Sequence, residues 1–230
     1  HSNDGRGATT RVDPSTGDAV RPVDPLVPTR GAEAGVRSTW IPGLQSSLTL
    51  WLLDIESELL FLGDAGTTEA SRPSRRWGVE WANYYTIFPW LVCDLDVAWS
   101  HARFRDDDPA GKHIPGAPEW VMAAGLTVPE AGRFYGSLRL RYFGPRPLIE
   151  DNSVRSDATA LVSAEVGYRL SRTWSLSVQT FNLLDRRDND IDYYYVSRLP
   201  GEPAEGVPDV HFHPAEPLAI RVTLSGQIGR

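Results

Sequence analysis

Apolar and polar residues alternate along most of this chain with a period of two. From Leu91 to Trp99, residues Leu91, Cys93, Leu95, Val97 and Trp99 fall on one side; Val92, Asp94, Asp96 and Ala98 fall on the other. From Phe134 to Tyr142, Leu138, Leu140 and Tyr142 oppose Ser137, Arg139 and Arg141, and Trp77 to Tyr85 sets Trp77, Val79, Trp81 and Tyr85 against Arg76, Glu80 and Tyr84. Successive side chains of a strand point to opposite faces, so each segment predicts a strand with one apolar and one polar face. The same pattern predicts strands over Trp120–Val128, Ala160–Leu170, Trp174–Phe181 and Ala219–Ile228, and a weaker one over Ala32–Trp40. Leu48–Phe61 reads as one further segment, apolar on both sides in its first half. Helical periodicity is almost absent. The predicted fold class is therefore all-β, an antiparallel meander of about nine strands.

The connections alternate as regularly as the side chains. Ile41–Ser46, Thr86–Pro89, Pro129–Gly132 and Ser171–Thr173 are short; His1–Gly31, Gly63–Ser74, Arg105–Glu119, Gly144–Ala158 and Leu184–Pro217 are long. In a meander every second connection lies at the same end of the sheet. One end thus carries tight turns and the other long loops, the asymmetry of an outer-membrane barrel. Length agrees with this. Trp77–Tyr85 covers eight steps of roughly 3.3 Å, about 26 Å along the strand. Tilted by about 40°, it rises roughly 20 Å, close to the apolar band of such barrels at about 25 Å. Aromatic residues mark the strand ends, with Trp40, Tyr85, Phe88, Trp90, Phe134 and Trp174 towards the turns and Trp77, Trp99, Trp120 and Tyr142 towards the loops. Amphipathic rings favour the membrane–water boundary. The competing reading is a soluble β-sandwich or barrel acting as a ligand- or glycan-binding module, because aromatic residues also suit buried strands.

Composition narrows the field. The 230 residues are 41% hydrophobic and 23% charged, which excludes a disordered chain, and no apolar run is long enough for a spanning helix. A formal charge of −7 gives no general attraction to nucleic acid. Cys93 is the only cysteine, so an intrachain disulfide and a multi-cysteine zinc site are excluded. Nine strands is an odd count where bacterial single-chain barrels have even ones, and open edges in lipid leave backbone groups unpaired. The expectation is that further strands precede His1 and that these residues do not close a barrel alone.

The segment Phe181-Asn-Leu-Leu-Asp-Arg-Arg-Asp resembles the C-terminal part of TonB-dependent receptors, where an Asn-Leu-hydrophobic-Asp motif stands at the loop end of the penultimate strand. Here it is Asn182, Leu183, Leu184 and Asp185. Glu33, Gly35, Val36 and Arg37 are similar to a Glu-x-Gly-hydrophobic-Arg pattern that opens a barrel strand in that family, and Arg76-Trp-Gly-Val-Glu repeats it one hairpin later. The opening His1-Ser-Asn-Asp-Gly-Arg resembles a loop just after a strand. The last strand departs from the family's terminal aromatic, with Ile228 and a final Arg230.

The resemblance implies a long outer loop over residues 1–31 and a C-terminal barrel portion over 32–230. It further implies a multi-pass location in the bacterial outer membrane and uptake of a ferric siderophore or similar scarce metal complex. The implied partners are outer-membrane lipid, a small-molecule or metal-chelate ligand, and the TonB complex acting through an N-terminal part that these residues do not include.

No catalytic constellation is present: there is no Gly-x-Ser-x-Gly, phosphate loop or His-Glu-x-x-His, so neither an enzyme nor a cofactor is expected. The paired carboxylates Asp94/Asp96 and Asp54/Glu56/Glu58 read as part of a hydrated lumen wall, paired with Arg139, Arg141 and Arg169 or with a plug. His211 and His213 share a face at i and i+2, near Asp209 and Glu216, a spacing that suits a divalent ion. Pro208 and Pro214 favour an exposed loop instead, and no metal is assigned. Tyr193, Tyr194, Tyr195 and Arg198, in the longest loop, combine rigid rings with a guanidinium suited to anionic ligands. With His211 and His213 they are the candidate ligand contacts. The alternative for the tyrosines is a β-ribbon extending above the membrane.

Overall fold

A computed structural model of the chain describes residues 11–12, 19–20, 26–57, 59–62 and 67–227. All of its regular structure is β. In chain order the strands are β1 (Arg11–Val12), β2 (Ala19–Val20), β3 (Thr29–Ser38), β4 (Leu44–Ile55), β5 (Leu59–Leu62), β6 (Thr67–Ala70), β7 (Ser74–Phe88) and β8 (Leu91–Phe104). They continue as β9 (Trp120–Ala131), β10 (Phe134–Phe143), β11 (Thr159–Arg169), β12 (Trp174–Phe181), β13 (Asn189–Ser197), β14 (Val207–Pro214) and β15 (Ala219–Gly226).

Nine of them form one antiparallel sheet in the order β15-β12-β11-β10-β9-β8-β7-β4-β3, with β3 and β15 as open edges. The sheet is the wall of a barrel that these strands do not close. β5–β6, β13–β14 and β1–β2 are separate two-stranded ribbons. Leu48–Phe61 is accordingly not one strand. The pairing of β4 with β3 and β7 ends at Ile55, and Leu59–Leu62 turns into the β5–β6 ribbon. β7 and β8 run to 15 and 14 residues, longer than the expected Trp77–Tyr85 and Leu91–Trp99, because their pairing continues past the apolar band.

Cross-strand register decides the faces, since directly opposed residues share a side. One row reads Val36, Leu48, Trp81, Val97, Met122 and Tyr142, apolar throughout. The opposite face carries Glu33, Arg37, Thr49, Glu80, Asp94, Asp96, Arg139, Arg141, Glu165 and Gln179. No second sheet covers the apolar side among the described residues: Trp81 is 45% exposed, and Leu50, Val166 and Val222 are more so. That excludes the β-sandwich, which must bury this face against another. Aromatic contacts bracket the band. At the loop end Trp77 meets Trp99 edge-on with centroids 4.9 Å apart, and Trp99 lies 6.4 Å from Trp120. At the turn end Phe88 stacks on Trp90 at 5.5 Å and Phe134 lies 4.9 Å from Tyr168.

The turn end is tight because its chemistry allows it. Gly43 (φ 80°) closes the β3–β4 turn, with Leu44 N donating to Ile41 O at 3.0 Å. Any Cβ on Gly43 would come within 2.6 Å of the Thr86 carbonyl. At the loop end a conventional core forms instead, from Ala102, Phe104 and Ile114 with Ala117 against them.

Candidate functional site

The polar face supplies the lumen wall. Arg139 Nη1 donates to both oxygens of Asp94 at 2.8 and 2.7 Å, and the pair lies across Gly125, the residue with no side chain to displace it. Around it Arg37, Gln45, Ser47, Tyr84 and Asp96 line an open hollow of about 520 Å³. Arg141 and Arg169 share this face but find other partners than the expected acids: Arg141 pairs with Asp190 at 2.9 Å, and Arg169 with Glu130 at 2.8 Å. The Asp54/Glu56/Glu58 reading is corrected. Register with Arg30 and Arg75 puts Asp54 on the apolar side, above the aromatic girdle, and Glu56 lies beyond the end of β4. Glu58 lies outside the described residues, as do His1–Arg6 and Ile228–Arg230.

Above the wall, side chains from three loops interlock. Arg72 donates to Asp106 at 2.9 Å, to Glu150 at 3.1 Å and to the Gly111 carbonyl at 2.8 Å, with its guanidinium 4.1 Å over the Phe104 ring. Arg155 joins Glu119 at 2.7 Å. The Lys112 ammonium beside Asp107 holds that carboxyl below its usual range, first through their hydrogen bond and then through charge.

The longest connection rises from this platform as the β13–β14 ribbon, so the tyrosines do form part of a ribbon. Its register places Ile191 opposite His213, Tyr193 opposite His211 and Tyr195 opposite Asp209 on one face; Asp192/Phe212 and Tyr194/Val210 share the other. Tyr195 stacks on His211 with centroids 3.8 Å apart and planes at 16°, and Tyr193 meets His213 edge-on at 6.1 Å. The four rings thus form a continuous patch, from which Tyr194 is separated. His211 Nε2 is buried and has no hydrogen-bond partner among the described residues. Arg198, exposed at the ribbon tip, donates to the Glu202 carbonyl at 3.3 Å. Among the described residues no three His, Cys, Asp or Glu side chains gather to hold a metal ion.

The ribbon's base is fixed by an ion pair that sequence reading missed. Arg146 and Asp192 meet at 3.4 Å, both buried. Arg146 also donates to the Asp190 carbonyl at 3.1 Å, and Asn189 Nδ2 donates to Asp192 at 2.7 Å. The partners stand far apart in sequence, and no local pattern links them.

The Asn182–Asp185 motif is the corner from which the ribbon departs and to which the chain returns. Asn182 and Asp185 both adopt φ 48°, a left-handed conformation that Asn and Asp tolerate better than most residues. Buried Asn182 donates from Nδ2 to the carbonyls of Arg186 at 2.8 Å and Glu216 at 3.0 Å, and accepts from Arg186 N at 3.0 Å. Leu218 N donates to the Asp185 carboxylate at 3.3 Å. The side chain of Leu183 is exposed, while its N–H donates to the Val162 carbonyl at 2.7 Å. Glu33, Gly35 and Arg37 lie within β3, which begins at Thr29, with all three on the lumen face. At Gly35 a Cβ would stand 3.0 Å from Thr49 Oγ1.

Comparison with known proteins agrees with this architecture. The chain matches the family described as TonB dependent receptor-like, beta-barrel over residues 6–183. It belongs to that family. Among solved structures it is similar to the ferric yersiniabactin uptake receptor FyuA from Yersinia pestis (16% identity, TM-score 0.66, covering 93% of this chain and 33% of that one). It is also similar to the ferric-catecholate import receptor Fiu from E. coli K12 (20%, TM-score 0.61, 86% and 27%) and to the copper transporter OprC (20%, TM-score 0.64, 87% and 32%). At these identities the likeness shows the fold. The chain spans between about a quarter and a third of the length of each. No curated protein matches it.

Proposed function

We propose that this chain is the C-terminal part of the barrel wall of an outer-membrane active-transport receptor, with its long loops outside the cell, and that the receptor takes up a ferric siderophore or a similar scarce metal complex. The observation that carries this reading is the two-faced sheet. An apolar side banded by two aromatic girdles needs hydrocarbon, and a polar side of paired charges needs a hydrated lumen. The ligand contacts are assigned to the loop end, on the ribbon patch of Tyr193, Tyr195, His211 and His213, with Arg198 at the ribbon tip and Tyr194 on the opposite face. Flat rings with polar tips offer area and hydrogen bonds together, which suits a chelate with aromatic or amide donors. Coupling to the TonB complex is assigned to N-terminal sequence outside these residues, and outer-membrane lipid to the apolar face.

The test is growth of a strain lacking the gene on a panel of iron and other metal chelates. One source should fail and be restored by the gene. Tyr195→Ala with His211→Ala should raise the ligand concentration for half-maximal uptake about tenfold, equivalent to about 1.4 kcal/mol. Unchanged growth on every source would overturn the transport reading, and an unchanged half-maximal concentration would overturn the ribbon patch. Orientation is read separately, by protease treatment of intact cells carrying an epitope in 105–119 or in 129–132. Only the first should be cut.

A further inference from the structure

The outward face does not stay apolar to the tops of the strands. Register aligns Arg30, Asp54, Arg75 and Arg103 in one cross-strand row, and His113 bridges to Arg103. Directly below, the next outward row is Ala32, Leu52, Trp77 and His101. Two residue steps at about 3.3 Å, tilted about 40°, put the arginine row roughly 5 Å above the girdle. Since Trp77 marks the hydrocarbon boundary, that height is headgroup depth.

Among the described residues the charges there do not balance. Arg75 holds Asp54 through Nε and Nη2 at 2.8 and 2.9 Å, and Arg105 holds Glu56 at 2.8 Å. Glu119 stands 4.0 Å from Arg103 and is bonded to Arg155 at 2.7 Å. Among the described residues, the four arginines 30, 75, 103 and 105 therefore face Asp54, Glu56 and a Glu119 shared with Arg155, an excess of positive charge on a chain whose net charge is −7. Between Arg75, Trp77, His101, Arg103 and Arg105 lies a cleft of about 420 Å³. Arg75 is more than half exposed and commits two of its five donors to Asp54.

We infer that this row is a binding site for the phosphate of a lipid headgroup in the surrounding leaflet, with the lipid's acyl chains lying over Leu52 and Trp77 beneath it. The inference rests on the outward assignment of the apolar face made above. A phosphate monoester accepts the paired donors of a guanidinium fork, and a juxtamembrane basic cluster gains from anionic headgroups. The cleft adjoins the apolar face directly, so the site favours a phosphate already tethered to acyl chains over the free ion, which bulk salt screens. A purely structural ion-pair row would carry matched charges and contribute little.

The test uses the complete receptor containing this sequence, purified in detergent, with native mass spectrometry reading retained lipid. Three probes are compared: lipid A, a glucosamine lipid bearing phosphate monoesters; the same lipid with its phosphates removed; and inorganic phosphate as a competitor. The wild type should retain lipid A at least tenfold more than the dephosphorylated lipid, and millimolar inorganic phosphate should not displace it. Changing Arg30, Arg75 and Arg103 together to Gln should remove the difference, and changing them to Lys should leave part of it. Equal retention of the two lipids by the wild type, which needs no variant to fold, would overturn the site; so would displacement by inorganic phosphate or undiminished retention by the Gln variant. The readout requires no transport, so failure here and failure of the uptake reading are separately visible.

Discussion

The wall and the loop platform follow opposite rules. In the wall the large apolar side chains face outward: Leu48, Leu50, Trp81, Leu138, Val178 and Leu224 are all exposed. Among the described residues the largest fully buried side chains, Ile114, Thr159, Pro147 and Ser74, all belong to the loop end. The wall takes its shape from a continuous hydrogen-bond ladder and leaves its apolar face uncovered among the described residues, the face proposed above to meet lipid. The platform is built as a small water-soluble domain is, with an apolar centre and bonded polar groups around it, the buried Ser74 hydroxyl being an exception among the described residues. A single chain can follow both rules because the solvent changes along the strands. β7 and β8 pass through that change, from Trp81 and Val97 in the band to Arg75 and Arg103 above it.

The sharpest way to test the platform side is to unpair its buried charge. Asp192→Ala leaves Arg146 without its carboxylate in a site closed to water, a loss of about 3–5 kcal/mol. The effect should stay local. Hydrogen exchange and trypsin cleavage should accelerate across 184–217, while the β7–β8 ladder keeps its protection. A uniform loss of protection would show that platform and wall are one cooperative unit.

The wall is probed by two neighbours on β4. Leu48 is in the middle of the apolar band, opposite Trp81, and Thr49 faces the lumen opposite Glu80. Leu48→Arg places a guanidinium in hydrocarbon and should cost about 2–4 kcal/mol; Thr49→Arg meets water and an acid, and should be close to neutral. Urea unfolding of the complete receptor in lipid vesicles measures both. Equal costs would mean that the two faces see the same solvent.

Sequence legibility divides along the same line. The wall was readable because its rule is local: a period of two in Leu91–Trp99 or Phe134–Tyr142 states both strand and face without knowledge of a partner. Asp54 shows where this fails. β4 is apolar on both sides near Trp51 and Leu52, so its face is set only by register against Trp77 and Arg75. The platform depends on pairs distant in sequence, Arg72 with Glu150 and Arg146 with Asp192, and no period announces them. The Asn182–Asp185 corner lies between these cases. Its residues signalled a family motif, while its work, tying the carbonyls of Arg186 and Glu216 together, appears only in the folded chain.

The smallest effect expected from this contrast is a pH dependence confined to the platform. His113 sits half-buried in the loop after β8, its backbone N–H donating to the Glu150 carbonyl at 2.9 Å and its Nδ1 lying 3.2 Å from the same oxygen. Burial, and then the positive charge of Arg103, hold its pKa below the ordinary 6.5. The undocked imidazole therefore binds a proton more readily than the docked one. Docking is strongest above pH 6.5 and weakens as the pH falls towards the lowered value, because protonation favours the open loop. Amide exchange in 105–119, corrected for its intrinsic pH dependence, should show protection falling between pH 7.5 and 5. His113→Gln should flatten that slope, and the β10–β12 ladder, away from the platform histidines, should not respond. A slope that survives the substitution would assign the titration to another group, and protection that rises on acidification would contradict the direction of the shift.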